Sequence, residues 1–430
     1  MRFSAINLGC KVNAFETESV AGMLEQRGHT RVEPDEDSDA CLIFTCAVTN
    51  TAAAKSRQMI HRMRKRNPDA VLVVAGCYAQ IDPGALKSAD VLVGNAHKMN
   101  IPDYIDSFRE NHIRISDPSE TDRPPFEPMV VNRFEHQTRA YLRIQDGCNQ
   151  FCTYCVIPYA RGRERSMDPD MAVREAVRLS KQHHEIVLTG IHTGRYGREH
   201  GVTLAQLMKR ILHEADELQR LRISSIEITE LDDEFVELMK NEPRIARHLH
   251  IPVQSGSDRI LELMHRPYDT NAYYNRVEEI RAAVADLSVS CDLMTGFPSE
   301  TDEDHQDALA FLRKCGFSFM HVFPYSMREG TAAAAMKQQI PSQIKKQRTA
   351  DCIALSQELY DAYKASWLNR TAEVMCETVQ DGWTRGYTSQ YIPVKIEGEF
   401  ESGSMVPTVL TDLKDHQVYG KRNYETDGII

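Results

Sequence analysis

Three cysteines in one short loop constrain this 430-residue chain more than any other feature. Cys148, Cys152 and Cys155 form a C-x3-C-x2-C run in the segment DGCNQFCTYC. Three thiolates on one loop can ligate three irons of a 4Fe–4S cluster and leave the fourth iron open to a small ligand. A zinc site is the alternative, but zinc usually takes four protein ligands, and no fourth Cys or His lies at a matching local spacing. The run therefore favours an iron–sulfur site.

Three further cysteines are spread over the first hundred residues. Cys10, Cys46 and Cys77 each follow an apolar run of strand length. The carboxyl ends of parallel strands share one edge of a sheet, so these side chains can converge although they are distant in sequence. The alternative is that they are buried small apolar residues, as free cysteines usually are. Their place at the step from strand to loop favours a second three-cysteine cluster. The cysteines inside strand or helix patterns, which we expect to serve packing, are Cys41, Cys291, Cys315, Cys352 and Cys376.

Composition indicates the cellular compartment in which these cysteines function. The chain has eleven of them, no apolar run like that of a signal peptide at its start, and no apolar stretch of transmembrane length. We therefore expect a cytoplasmic protein that does not bind membranes, in which cysteines serve metals or catalysis better than disulfides. The formal net charge of −11 argues against general coating of nucleic acid and leaves room for a local basic patch.

The order of apolar runs predicts an α/β chain with three domains. In 1–115, short apolar runs alternate with helical patterns, which predicts an open parallel sheet. The proline-rich and charged segment 116–133 has the composition of a linker. Six apolar runs separated by helical segments predict a partial (β/α)6 barrel in 134–366, closed by a long helix at about 341–367. Alternating short strands with glycine-containing turns predict a small antiparallel β-barrel in 367–430.

These motifs resemble the methylthiotransferase family of radical S-adenosylmethionine enzymes. The resemblance covers nearly the whole chain and rests on segments that include LGCKVNAFETE, FTCAVTNTAAAKSRQ, VAGCYAQ, DGCNQFCTYCVIPYARGRERS, HIPVQSGSDRIL and DLMTGFPSETDED. Family members combine a three-cysteine domain, a radical S-adenosylmethionine partial barrel and a small C-terminal barrel called TRAM. The opening LGCKVN, followed by Glu16 and Glu18, is similar to the branch that acts on N6-threonylcarbamoyladenosine beside the anticodon of tRNA.

The resemblance implies two 4Fe–4S clusters and S-adenosylmethionine as cofactors. The loop cluster would cleave S-adenosylmethionine to a 5′-deoxyadenosyl radical, and the N-terminal cluster would carry the sulfur that becomes a methylthio group on C2 of the adenine. The implied partners are tRNA, a reducing electron donor and a sulfur donor. Three alternatives stay open. The enzyme could methylthiolate a ribosomal protein side chain, or it could methylthiolate isopentenyladenosine in tRNA. The third alternative is a non-catalytic iron–sulfur protein that binds RNA or acts as a sensor.

The resemblance also implies which residues hold S-adenosylmethionine. Tyr154 would lie against its adenine, and Gly190, which lacks a Cβ, would let its methionine end approach the backbone. Glu227 on the third barrel strand, with Gln254 and Ser255 after the fourth, would hydrogen-bond its ribose or methionine. The segment that would border the adenine is Thr295, Gly296, Phe297 and Pro298. Turn formation is the alternative role of Gln254, Ser255 and Gly296.

Basic and aromatic residues give candidates for RNA contact. Arginines follow the cysteine loop closely and are expected to meet phosphate, whereas the basic run 55–66 is more simply the solvated face of a helix. The arginines concerned are Arg161, Arg163 and Arg165. Small barrels can stack bases on aromatic side chains, and the candidates here are Trp383, Tyr387 and Tyr391. The stretch 368–430 nevertheless carries ten acidic and six basic residues, so a loop or groove must make such a contact.

Overall fold

A computed structural model describes residues 1–119, 123–131, 134 and 137–424. Positions 120–122 and 132–133 of the expected linker, and 425–430 of the expected C-terminal barrel, lie outside the described residues. In the part of the chain that the structure describes, no helix has the length and apolar character needed to cross a membrane.

Six parallel strands form the N-terminal sheet. In chain order they are β1 (Arg2–Asn7), β2 (Thr30–Arg31), β3 (Ala40–Thr45), β4 (Val71–Gly76), β5 (Val91–Val93) and β6 (Ile115–Asp117). Their spatial order is β2-β1-β3-β4-β5-β6. The helices are α1 (Lys11–Gln26), α2 (Asn50–Arg66), α3 (Cys77–Ile81) and α4 (Ile101–Asn111). β3 and β4 are buried along their whole length, as expected of parallel strands covered on both faces. The predicted open parallel sheet is confirmed, and β2 and β6 are too short for an apolar pattern to reveal.

Six further parallel strands form the central partial barrel. They are β7 (Ala140–Arg143), β10 (Glu185–Thr189), β11 (Arg220–Ile223), β12 (His248–His250), β13 (Ser288–Thr295) and β14 (Phe319–Pro324), and two short strands, β8 (Gln145–Asp146) and β9 (Arg165–Ser166), pair antiparallel beside them. Isolated parallel bridges connect the two three-stranded sheets. The helices are α5 (Ile157–Arg161), α6 (Pro169–Ser180), α7 (Leu204–Glu214), α8 (Asp233–Asn241), α9 (Asp258–Leu263), α10 (Thr270–Ala283), α11 (Asp302–Cys315) and α12 (Ser342–Ala365). The predicted partial (β/α)6 barrel and its long closing helix are confirmed.

The N-terminal domain lies across the open side of this barrel. The edge strands β7 and β14 are not paired with each other. Helix α1 packs on β7, and the start of α2 is fixed beyond the end of β14, where Asn50 hydrogen-bonds Ser326 Oγ at 3.0 Å and Met327 O at 3.1 Å. The interior of the partial barrel is therefore bounded by strands on most sides and by the N-terminal domain on the remaining one.

The chain ends in a closed five-stranded barrel. Its strands are β15 (Thr371–Gln380), β16 (Trp383–Thr388), β17 (Pro393–Glu397), β18 (Met405–Lys414) and β19 (Gln417–Arg422), in the order β15-β16-β17-β19-β18. All neighbours are antiparallel except β17 and β19. The turn after β16 docks on the partial barrel, where Arg222 donates to the carbonyls of Thr388 and Ser389.

The segment expected to be a linker is packed against the core where the structure describes it. Met129 and Val131 are buried in the main hydrophobic cluster, and the Glu127 carbonyl accepts a hydrogen bond from Arg143 at 2.7 Å. Prolines and charges gave this stretch the composition of a linker, but its few apolar side chains are enough to fasten it.

Candidate functional site

The three loop cysteines lie between β8 and α5, on a loop held by backbone contacts. The amide of Cys148 donates to Gly162 O, and that of Cys155 donates to Cys152 O. Gly147 has a φ of +72°, and a Cβ there would lie 2.0 Å from the Arg163 carbonyl oxygen. Only glycine fits this close approach, so the position of the first cysteine depends on it.

Cationic side chains contact two of the loop thiols. Arg266 Nη1 lies 3.4 Å from Cys152 Sγ, and His192 Nδ1 lies 3.4 Å from Cys148 Sγ. Burial raises the pKa of Cys155 to about 12, and it also raises the pKa of Cys152, where the Arg266 charge opposes it. Thiolates at this place therefore need a metal or a cation to be stable.

The spacing of the cysteine sulfurs bears on whether either set suits a single zinc ion. Two sulfurs bound to one zinc lie at most about 4.6 Å apart, twice the Zn–S distance. Among the described residues, the set of three ligand groups with all atoms within 4.8 Å of one another is His250, Asp292 and His321, and neither set of three cysteines meets that limit. Wider spacing suits a cluster, in which each sulfur binds a different iron.

A cavity of about 270 Å³ opens in front of the loop cysteines. All three cysteines line it, together with Tyr154, Glu227, Gln254 and Arg266. The Gln254 Oε1 atom is buried without a hydrogen-bond partner among the described residues, and the backbone of Gln254 is left-handed, with a φ of +67°. An unsatisfied acceptor on a cavity wall is what a hydrogen-bonding ligand would complete. The residues therefore fit a cluster with a small polar cofactor beside it.

Glu227 lies beyond the third barrel strand, which corrects the expectation that it is on it. β11 ends at Ile223, and Glu227 precedes a short helical turn at Ile228–Glu230. Its carboxylate forms an ion pair with Arg266. The strand is shorter than its apolar run because Ser224 and Ser225 follow it.

Gly190 packs against the Gln145 side chain, which leaves little space for a Cβ. A Cβ on Gly190 would lie 3.0 Å from Cβ and Oε1 of Gln145. Gln145 Oε1 accepts hydrogen bonds from the amides of Ile191 and His192, and its Nε2 donates to two carbonyls of the cysteine loop. Gln145 thus ties the loop after β10 to the cysteine loop. Sequence reasoning missed it, although an amide side chain directly after the apolar run YLRI was a signal.

The segment expected to border the adenine lies behind the cavity wall, which corrects that expectation. Gly296, Phe297 and Pro298 are buried, and a Cβ on Gly296 would lie 2.4 Å from Lys345 Cγ of α12. The glycine therefore serves the packing of α12. Met294, just before this segment, lines a second cavity that Tyr154 also lines and that is described below. Ser255 is buried and caps a turn, because its Oγ accepts from the Ser257 amide at 3.2 Å.

The N-terminal cysteines meet at the carboxyl edge of three neighbouring strands. Cys10 follows β1 and precedes α1, Cys46 follows β3, and Cys77 begins α3 directly after β4. Gly76 has a φ of +101°, and a Cβ there would lie 2.9 Å from the Thr45 carbonyl oxygen. Cys10 is exposed, Cys46 is half-buried and Cys77 is buried. The five cysteines expected to serve packing are all buried.

Arg161 lies beside this second set, and the prediction that it meets RNA is wrong. Its side chain is fully buried, because the loop after Cys155 turns back into the interface between the domains. Its Nη1 donates to Glu16 at 3.0 Å and to Asp146 at 3.1 Å, and its Nη2 lies 2.5 Å from Asn13 Oδ1. Burial raises the pKa of Cys46 to about 11, and the Arg161 charge is among the groups that oppose this rise.

Arg161 belongs to a buried ionic network that joins the N-terminal domain to the partial barrel. Glu16 also contacts Arg143 at 2.9 Å and Lys98 at 3.3 Å. Arg165, a second RNA candidate, forms an ion pair with Asp146 at 2.8 Å. Four basic side chains (Lys98, Arg143, Arg161 and Arg165) share the carboxylates of Glu16 and Asp146, and the Glu127 carboxylate also acts on Lys98. Thiolates at Cys10 and Cys77 would add negative charge close to Arg161.

A second cavity, of about 170 Å³, lies between the loop cysteines and the segment that follows Cys46. Val48 and Thr49, which follow Cys46, line one side, and Tyr154 and Cys155 line another. This cavity shares Tyr154, Cys155, Ile157, Gln254 and Asp292 with the first one. The loop cysteines therefore face a hollow that reaches the segment after Cys46.

The remaining RNA candidates differ in their exposure. Tyr391 stacks on His248 of the partial barrel at 5.1 Å, and Arg139 lies over Tyr387 at 5.0 Å. These two tyrosines hold the domains together, which corrects the expectation of an open aromatic surface. Trp383 is half-buried against Tyr419. Arg163 is half-buried, and its guanidinium lies 4.6 Å from the centroid of the Phe151 ring.

Comparison with known proteins extends these observations. Residues 142–312 match the radical SAM superfamily, and residues 2–94 match an uncharacterized protein family, UPF0004. A Bacillus subtilis protein named threonylcarbamoyladenosine tRNA methylthiotransferase MtaB is 39% identical over 91% of this chain and 89% of its own length. An Aquifex aeolicus protein of the same name is 35% identical over 95% and 100%. A Carboxydothermus hydrogenoformans tRNA-2-methylthio-N(6)-dimethylallyladenosine synthase is 34% identical over 81% and 82%.

Solved structures agree on the fold. The radical S-adenosylmethionine methyltransferase TsrM from Kitasatospora setae superimposes with a TM-score of 0.58 at 14% identity, over 77% of each chain. That likeness concerns architecture, while the sequence relatives extend over nearly the full length. The chain belongs to the methylthiotransferase family of radical S-adenosylmethionine enzymes.

Proposed function

We propose that this enzyme methylthiolates C2 of N6-threonylcarbamoyladenosine in tRNA, with two 4Fe–4S clusters and S-adenosylmethionine. Membership of the family implies one 4Fe–4S cluster and S-adenosylmethionine. The observation that carries the second cluster is that Cys10, Cys46 and Cys77 follow three neighbouring strands at one edge of the N-terminal sheet. Val48 and Thr49, shortly after Cys46, line the cavity beside Cys155. The tRNA substrate is supported by the names of the two relatives that are 39% and 35% identical.

The chain's own residues would divide the work between the two cysteine sets. Cys148, Cys152 and Cys155 hold one cluster, and Cys10, Cys46 and Cys77 hold the other. When bound, the clusters and S-adenosylmethionine supply the electron, the hydrogen-abstracting group, the sulfur and the methyl group that replacement of a C–H bond by a C–SCH3 group requires. A reducing electron donor and a sulfur donor complete the proposed set of partners.

Between the cysteine sets, side chains orient the reactants. Gln254 offers its unsatisfied carbonyl oxygen to S-adenosylmethionine, and the Glu227–Arg266 pair offers charges of both signs. Tyr154 lines both cavities and would lie against the adenine of the cofactor. Met294 and Phe323 give the second cavity an apolar wall that excludes water from a reactive group.

The role of Tyr154 can be tested by substitution. Base–aromatic stacking contributes about 1–3 kcal/mol, so Tyr154→Ala should raise the KM for S-adenosylmethionine roughly 5- to 100-fold, and Tyr154→Phe should restore it. Equal KM values for all three proteins would show that the ring does not contact the cofactor.

The substrate is tested with anaerobically purified protein and two tRNAs that differ in one nucleoside. One carries N6-threonylcarbamoyladenosine and the other N6-dimethylallyladenosine, and the products are identified by mass spectrometry of the nucleosides. We expect the 2-methylthio derivative of the first. Methylthiolation of the second alone, or of a ribosomal protein alone, would refute the proposed substrate and leave the reaction class standing.

A further inference from the structure

The inner face of the partial barrel carries three side chains of metal-binding type on neighbouring strands. His250 lies on β12, Asp292 on β13 and His321 on β14. The strand register pairs Asp292 with His321 directly, and it pairs His250 with Ser290, which lies two residues before Asp292 and on the same face of β13. Barrel interiors are usually filled by branched apolar side chains. Two imidazoles and a carboxylate on this face therefore indicate a role other than packing.

The spacing of these groups suits one metal ion. One nitrogen or oxygen atom from each of the three side chains lies within 4.8 Å of the other two. His250 Nε2 lies 3.3 Å from Asp292 Oδ1, and two ligand atoms bound to one tetrahedral zinc ion at the usual distances are separated by about 3.3 Å. These two ligands therefore have the required spacing. The third, His321, is exposed, so its ring has room to turn towards them.

Ser290 holds the ring of His250 in the orientation that metal binding requires. Its Oγ lies 2.9 Å from His250 Nδ1 and 2.8 Å from His248 Nε2. One hydroxyl can accept a hydrogen bond from the first ring and donate one to the second. The proton of the His250 ring is then on Nδ1, and the lone pair of Nε2 faces Asp292. Metal-binding histidines almost always use their second ring nitrogen in such a hydrogen bond.

The three side chains border the hollow in front of the loop cysteines. Asp292 lines both cavities, together with Tyr154, Cys155 and Gln254. Its side chain is 29% exposed, so it is not sealed in the core. Among the described residues, no fourth Cys, His, Asp or Glu joins the group. Three protein ligands leave a coordination position of a zinc ion open, as in catalytic zinc sites. An oxygen ligand from the hollow could take that position.

We propose that His250, Asp292 and His321 bind a divalent transition-metal ion such as Zn²⁺, separate from both cysteine sets. Two imidazoles and one carboxylate suit zinc or ferrous iron better than magnesium or calcium, which prefer oxygen ligands alone. None of the three ligands is a thiol, so the site is not part of an iron–sulfur cluster. The proposal does not depend on which substrate is methylthiolated.

The test uses anaerobically purified, full-length protein with its clusters, equilibrated with Zn²⁺ and freed of unbound metal. Zinc is counted by elemental analysis, and its ligands are identified by X-ray absorption at the zinc edge. We expect about one zinc per chain with nitrogen and oxygen neighbours at about 2.0–2.1 Å, whereas cysteines would give sulfur neighbours at about 2.3 Å. Asp292→Ala and His321→Ala should each lose this zinc and keep the iron and sulfide content of wild type.

Further variants keep the site testable if an alanine substitution disturbs the barrel. His321→Cys should retain the zinc and add one sulfur neighbour at about 2.3 Å. Ser290→Ala leaves the three ligands in place and should weaken zinc binding about 10- to 100-fold, as measured by competition with a chelator. His213→Gln is the matched control, because it removes an exposed histidine of α7. It should bind zinc as wild type does.

Two results would refute the site. One is the absence from wild type of zinc bound through nitrogen and oxygen, and the other is retention of that zinc by both alanine variants. Zinc binding is measured without RNA, so a failure of the proposed RNA substrate would leave this result unaffected.

Discussion

The two three-cysteine sets are built in opposite ways. Cys148, Cys152 and Cys155 lie on one loop of eight residues within the partial barrel. Cys10, Cys46 and Cys77 come from three strands and are assembled by the order β1-β3-β4 of the sheet. The first set therefore exists as soon as its loop forms, whereas the second requires the whole N-terminal sheet to fold.

The two sets also differ in the origin of their positive charge. The loop set is contacted by His192 and Arg266 of its own domain. The N-terminal set is adjacent to Arg161, which comes from the other domain and is fixed by Glu16 across the interface. The difference indicates that the electrostatic environment of the N-terminal set depends on domain docking, and that of the loop set does not.

The largest expected effect comes from removing the N-terminal set. We expect Cys10→Ala, Cys46→Ala and Cys77→Ala, combined in one protein, to abolish methylthiolation and to leave reductive cleavage of S-adenosylmethionine within about twofold of wild type. The reason is that the loop set, which would hold the cluster that cleaves S-adenosylmethionine, is left intact. Release of 5′-deoxyadenosine and formation of the modified nucleoside are measured in the same reaction.

Cys376→Ala is the matched control, since Cys376 is buried in the C-terminal barrel away from both sets. It should retain both activities. Loss of cleavage in the triple variant would contradict the division of work between the sets.

The next effect distinguishes the two sources of positive charge. Arg161→Gln should lower the reduction potential of the N-terminal cluster, and Arg266→Gln that of the loop cluster, each by roughly 50–150 mV at an effective dielectric of about 20. A cation close to a cluster favours its more negative, reduced form. Potentials are measured by redox titration followed by electron paramagnetic resonance.

Variants that keep the positive charge test this prediction even if the glutamine substitutions weaken the interface between the domains. Arg161→Lys and Arg266→Lys should have potentials closer to that of wild type. If both glutamine variants changed the reduction potential of the same cluster, the assignment of one arginine to each cysteine set would be contradicted.

A smaller effect concerns acid stability of the domain interface. Burial alone would raise the pKa of Glu16, but Arg161, Lys98 and Arg143 lower it to about 2 from an ordinary 4.5. The stabilisation is therefore fully present above about pH 4.5 and is lost as the pH falls towards 2. Between pH 6 and 3, the free energy of unfolding of wild type should fall more than that of Glu16→Gln, by about 2 kcal/mol.

This comparison uses denaturant titrations of protein without iron, so that acid release of sulfide does not contribute. Glu18→Gln is the control, because Glu18 pairs with Arg31 within the N-terminal domain. Identical pH profiles for wild type and Glu16→Gln would contradict the role of the network in docking.

The smallest effect is expected at the C-terminal barrel. Trp383 is the aromatic candidate for RNA that is not used to hold the domains together. Trp383→Ala should weaken tRNA binding about 5-fold and leave S-adenosylmethionine cleavage unchanged, in line with the stacking of one base. Unchanged tRNA affinity would remove the last aromatic candidate from the proposed RNA surface.

Local spacing and strand periodicity carried much of what the sequence predicted. The C-x3-C-x2-C run and the apolar runs before Cys10, Cys46 and Cys77 predicted where both sets lie. Contacts between distant residues could not be predicted. Arg161 follows the cysteine loop at a spacing that suits RNA contact, but its burial is decided by Glu16, which lies 145 positions away in sequence.

The same reason explains the other corrections. Gly296 and Gly190 lack a Cβ because Lys345 and Gln145 occupy the space, and a sequence pattern shows only that glycine is there. Tyr391 stacks on His248 of another domain, so the exposure of its ring depends on how the two domains pack together.

The central claim is that the two cysteine sets hold separate clusters, and iron and sulfide content tests it directly. Anaerobically purified wild type should contain about eight irons, and the Cys148→Ala, Cys152→Ala, Cys155→Ala variant about four, as should the Cys10→Ala, Cys46→Ala, Cys77→Ala variant. About four irons in wild type and none after loss of the loop set would contradict it, because the N-terminal cysteines would then be structural.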